Sequence, residues 1–120
     1  MGYRSQVKSV IYGSSENIAK LKATQEYLNV LDQFDSEYLS EHSINDNTQA
    51  ILFSGGHLKW YDEYADVKAW HKLIELSPSV GLSAEFLRVG EEAGDIENHN
   101  YGDECNWYLY VTTSIEADFI

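Results

Sequence analysis

A chain of 120 residues with 43% hydrophobic side chains, a single proline and no glycine-rich linker reads as one domain over residues 1–120, long enough to bury roughly two thirds of its unfolded surface. Twenty acidic against eight basic side chains leave a net charge of −12, a field that repels nucleic acid and anionic membranes and attracts basic surfaces. The only cysteine, Cys105, excludes an internal disulfide, and with a polar opening and no apolar run near ~18 residues the expectation is a cytoplasmic protein without a membrane span.

Residues 3–12 alternate, with Val7 and Ile11 on one side and Arg4, Lys8 and Tyr12 on the other, which predicts a strand whose Val7 side faces the core. Gly13-Ser14-Ser15 ends it. Ser14 or Ser15 then caps a helix in which Ile18, Leu21, Leu28 and Leu31 repeat at helical spacing across residues 17–31. Phe34, Tyr38 and Leu39 read as a continuation after a break near Asp32, and residues 41–48 as a polar loop. Gly55-Gly56 lies between two β-prone runs and reaches φ > 0 cheaply, so a two-residue hairpin turn is expected there. In that register Phe53 faces Leu58, Ile51 faces Trp60 and Leu52 faces Lys59.

Residues 64–76 predict a second helix, with Val67, Trp70, Leu73 and Ile74 as its apolar stripe, closed by Ser77-Pro78. Residues 82–89 read as a strand covered on both faces or at an edge. Residues 90–106 read as a long acidic loop with room for a short strand near Ile96. A last strand over residues 106–115 puts Trp107, Leu109 and Val111 on one side, Tyr108 and Tyr110 on the other. The order β-α-β-β-α-β-β is that of a ferredoxin-like α+β fold or a close relative: an antiparallel sheet of four to five strands with two helices on one face.

The charge is uneven. Residues 1–60 hold seven acids and five bases, residues 61–120 thirteen and three. Glu91, Glu92, Asp95, Glu97, Asp103 and Glu104 crowd a short stretch without a base, which makes them the candidate partner-binding residues; the plainer reading of the same charge is solubility. A second constellation follows from the strand alternation, which gathers Arg4, Lys8, Tyr12, Lys59, Tyr61, Tyr108 and Tyr110 on the sheet face away from the helices. Tyrosines among bases suit base stacking, self-association into a homo-oligomer, a partner interface, or a half-exposed sheet. The charge of −12 weighs against direct nucleic-acid binding.

His42, His57, His71 and His99 lack the paired spacings of a zinc site, and Cys105 has no cysteine partner. Oxygen ligands alternate from Asp95 onward as in a calcium loop, yet the glycine at the sixth place is missing and Asn106 stands where the closing glutamate belongs. No nucleophile elbow or phosphate-cradling glycine loop is present. The expectation is a non-enzymatic chain with no cofactor and no metal.

Met1-Gly2-Tyr3-Arg4-Ser5, Lys59-Trp60-Tyr61 with Tyr64 and Asp66-Val67, and Phe86-Leu87-Arg88-Val89-Gly90-Glu91 with Asp95-Ile96-Glu97 together resemble short proteins of tailed phages and prophages. That resemblance implies a phage-encoded accessory protein acting in the bacterial cytoplasm. By analogy with acidic phage proteins of this size, it implies an inhibitor that presents carboxylates where DNA phosphates lie, bound to a basic host or defence protein that handles nucleic acid. The alternative is a small-ligand or nucleotide-binding module, oligomeric or not, that uses the tyrosine-rich face.

Overall fold

A computed structural model describes residues 2–102 together with residues 108 and 109. Among these residues are five strands, β1 (Ser5–Gly13), β2 (Leu39–Asn45), β3 (Thr48–Leu58), β4 (Ser83–Gly90) and β5 (Ile96–Tyr101), and three α-helices, α1 (Ser15–Lys22), α2 (Gln25–Gln33) and α3 (Ala65–Leu76), in the order β1-α1-α2-β2-β3-α3-β4-β5. The sheet runs β2-β3-β1-β4-β5, with every neighbouring pair antiparallel. The fold is therefore α+β. β3 lies between β1 and β2, the split β-α-β arrangement, with β4 on the other side of β1 and β5 added at that edge.

Residues of both sheet faces are buried. Val7, Ser9 and Ile11 point to the helices, where Ile18, Leu21, Val30, Val67, Trp70, Leu73 and Ile74 meet them. The centre is aromatic: Phe53 lies 4.8 Å from Phe34, 5.3 Å from Trp70 and 5.5 Å from Trp60 between ring centroids. Each such side chain contributes roughly 1.5–3 kcal/mol by leaving water. The indole N–H groups of Trp60 and Trp70 are buried there without a hydrogen-bond partner among the described residues. On the opposite face Val10, Tyr12 and Ala50 form a smaller cluster with Leu52 and Leu109.

Three sequence expectations are corrected. First, there is no hairpin at Gly55-Gly56; β3 runs through both glycines and pairs with β1 from Gly13↔Gln49 to Ser5↔Leu58. The cross-strand pairs expected across that turn do not form. A bulge replaces the reversal: Val7 opposes Gly55 while Ser5 opposes Leu58, and His57 takes the left-handed region at φ 53°. Gly55 lacks a side chain because Leu58 folds back over it.

Second, the predicted helix over residues 17–31 is two helices. Ser14 caps α1 by accepting from the Asn17 N–H, and Thr24 caps α2 by accepting from the Tyr27 N–H. The Thr24 hydroxyl also donates to the Leu21 carbonyl at 2.6 Å, which closes α1 and restarts the chain on a new axis. That break turns Val30 into the core and leaves Leu28 and Leu31 each 46% exposed. Third, residues 39–45, expected as helix and loop, form the edge strand β2. The true hairpin joins it to β3, and Asn45 Oδ1 accepts from the Asn47 N–H at 2.8 Å in an Asx turn that needs no glycine.

α3 matches its expected stripe, with Val67, Trp70, Leu73 and Ile74 buried. β4 matches too, and the short strand near Ile96 is β5. The expected last strand over residues 106–115 lies outside the described residues except at Tyr108 and Leu109.

Candidate functional site

β4 and β5 are joined by a tight connection that carries three of the six candidate acids, Glu91, Glu92 and Asp95, and a fourth, Glu97, stands in β5 itself. Gly94 turns the chain at φ 84°, and the Gly90 N–H donates to the Asp95 carbonyl at 2.8 Å. Cross-strand pairing then sets Glu97 opposite Arg88. The Arg88 guanidinium holds both neighbouring acids: Nη2 meets Asp95 Oδ1 at 2.8 Å and Nε meets Glu97 Oε1 at 2.9 Å. Its Nη1 donates to Ser5 Oγ at 3.0 Å, tying the group to β1.

Asp95 also accepts from the Tyr3 hydroxyl at 2.6 Å, and that hydroxyl accepts from the Glu92 N–H at 2.9 Å. Hydrogen bonds from Arg88 and then Tyr3 hold the Asp95 carboxyl below its ordinary pKa. Burial pushes Glu97 upward, but Arg88 and His99 outweigh it and leave that carboxyl lowered as well. Glu91 is engaged differently, since its carboxylate accepts from the Arg4 backbone N–H. Glu92 is exposed and pairs with no base among the described residues. Asp103 and Glu104 lie outside the described residues. Asp95 and Glu97 thus face a guanidinium within the protein, while Glu91 and Glu92 form the outer part of the turn.

Among the described residues the tyrosines and bases of the second constellation are divided between two ends of the sheet, with Lys8 between them. Tyr12 is buried, donates to Glu85 Oε2 at 2.8 Å and meets Tyr108 edge-on at 4.8 Å. Glu85 accepts the Leu109 N–H at 3.0 Å, so residues 108 and 109 lie over this end of the face. Lys8 is exposed near the middle of β1. Arg4 stands at the other end, where its Nη1 donates to the His57 carbonyl at 3.0 Å. Lys59 and Tyr61 are also there, beside Gly2 and Tyr3, and Tyr61 Oη accepts the Tyr3 N–H at 2.6 Å. Nine residues of strand separate Tyr3 from Tyr12, about 30 Å. The reason is β3: because it does not turn at Gly55-Gly56, Lys59 and Tyr61 leave the sheet at its far end. Tyr110 lies outside the described residues.

Two imidazoles line a cleft of about 410 Å³ between α3 and β5. His71 and His99 pack on Phe86 at 4.9 and 5.8 Å, and His99 Nε2 lies 2.7 Å from Glu97 Oε2. Burial lowers the His71 pKa, which keeps that ring neutral near pH 7. Among the described residues no group of three or more His, Cys, Asp or Glu is arranged to hold a metal.

A second acid-rich stretch lies in the first half of the chain. No lysine or arginine stands between Lys22 and Lys59, whereas Glu26, Asp32, Asp35, Glu37, Glu41 and Asp46 all fall there. Arg4, Lys8, Lys20, Lys22 and Lys59 on either side offset these acids in the net charge of the first half. Glu26 and Asp32 belong to α2 and Asp35 takes the N-cap position of the 3₁₀ turn Ser36–Tyr38, while Glu37, Glu41 and Asp46 precede, occupy and follow β2 on the sheet edge opposite β5. No helix among the described residues is long and apolar enough to cross a membrane. Comparison with known proteins finds no match among family models, curated proteins or solved structures.

Proposed function

We propose that this protein is a non-enzymatic binding protein whose excess carboxylates engage a basic surface on a partner protein. One observation carries the reading: with twenty acids and eight bases, twelve carboxylates are in excess when each base takes one. The ion pairs of Lys20, Lys22 and Arg88 already consume part of that small supply. The negative charge is thus a property of the whole chain, and among the described residues of the 91–104 stretch Glu91 and Glu92 are the more exposed acids. The resemblance to phage proteins makes the partner a host or defence protein that handles nucleic acid, with carboxylates taking the place of phosphates.

The test is capture of partners from host lysate on immobilised protein at about 0.05 and 0.5 M salt, followed by elution with duplex DNA. A partner that is released by salt and displaced by DNA is the expected result. A partner that survives high salt and ignores DNA would sink the reading.

A further inference from the structure

We propose that the open edge of β2 takes up an extended lysine- and arginine-rich segment of the partner as a sixth strand. This rests on the reading of a basic partner and says where that partner docks. Among the described residues β2 pairs with β3 on one side only, so its outward N–H and C=O groups offer a template for another chain. Such edges are ordinarily guarded by charged side chains, above all lysine, or by proline, a bulge or a covering element; the charge on this one is Glu41, which repels acidic strands and not basic ones. β2 contains no lysine, arginine or proline, and every residue after Leu39 is exposed. Its single irregularity falls between Ser43 and Asn45, next to the turn, so Leu39 to Ser43 keeps a regular ladder.

Charge selects the occupant. Glu37 precedes the strand, Glu41 sits in it and Asp46 follows in the turn, all exposed. The base that reaches this row is Lys22, whose Nζ lies 2.5 Å from Glu41 Oε1 with the two side chains 34% and 56% exposed. That pair shows the chemistry Glu41 accepts, in a setting open enough for an incoming lysine or arginine to exchange with it. A second copy of this chain would instead set Glu37, Glu41 and Asp46 against the same acids on a molecule that also carries −12. The edge therefore suits a foreign basic strand and disfavours its own duplicate.

The probe is a synthetic peptide of about nine residues alternating valine and lysine. It is titrated into ¹⁵N-labelled protein beside a control of the same charge in which alternate valines are proline. The expected result is slowed amide exchange and shift changes confined to β2 and its turn, with no response to the control. The combined variant Glu37→Gln, Glu41→Gln, Asp46→Asn should weaken the peptide about tenfold, because all three side chains are exposed and act by charge. No binding, changes centred on Glu91 and Glu92, self-association through β2, or unchanged affinity of the variant would each overturn the proposal. A peptide that ignores β2 beside a lysate partner still released by salt and DNA would end the strand-addition idea alone; a salt-resistant partner would end the broader reading.

Discussion

Arg88 does at residue scale what twenty acids in so small a chain make necessary: it gathers carboxylates that repulsion would otherwise drive apart. Asp95 and Glu97 titrate below their ordinary values, so the folded protein gives up these protons more readily than the unfolded chain. The stability they contribute is complete above about pH 4.5 and drains as pH falls through the lowered folded values. Urea midpoints between pH 2 and pH 7 should show that slope. In Arg88→Met it should flatten, with the largest loss of midpoint near neutrality and little below pH 3. Gly90 supports the same cluster, since a methyl there would collide with the Asp95 carboxylate and the Tyr3 hydroxyl. Gly90→Ala is therefore expected to displace the Asp95 carboxylate from Arg88 and lower the urea midpoint near neutrality more than at pH 3. Of this arrangement the sequence revealed the crowding of acids but not the division of labour among them. Pairing Arg88 with Glu97 depends on β4–β5 register, and Tyr3 arrives from the far end of the chain.

At the scale of elements, legibility followed how local the determining interactions are. α3 could be read from its stripe and its Ser77-Pro78 stop because both are set within the segment. The pair of helices before it could not, since Ile18, Leu21, Leu28 and Leu31 keep helical spacing across a break that the Thr24 hydroxyl creates. Thr24→Ala should cost about 0.5–2 kcal/mol through loss of the α2 cap. Leu28→Ala and Leu31→Ala should each stay within about 0.5 kcal/mol, whereas Val30→Ala should cost clearly more; thermal denaturation of the four variants checks this. At Gly55-Gly56 turn propensity is local and strand pairing is not: β1 pairs with β3 on both sides of the glycines, so the chain bulges there instead of reversing. Nothing lies within 4 Å of a side chain added at Gly56, and its φ is not positive. Gly56→Ala is accordingly expected to be neutral or stabilising by up to about 1 kcal/mol, a result a tight turn at that position would not permit. β2 was hidden for the opposite reason: an exposed edge strand carries almost no hydrophobic alternation to read.

For the whole molecule, a charge of −12 acts on stability as well as on partners. Self-repulsion favours expansion, and added salt screens it, so the melting temperature should rise by a few degrees between about 10 mM and 0.3 M sodium chloride. A fall over that range would mean that favourable ion pairs outweigh the repulsion. The core that resists this repulsion joins sheet to helices around Phe53, Trp60 and Trp70. Because both indoles sit in apolar surroundings with their N–H groups unbonded among the described residues, their emission belongs at the blue end of the tryptophan range. Their red shift on unfolding makes the centre of the protein an intrinsic optical gauge, one that can follow every stability measurement above without a label.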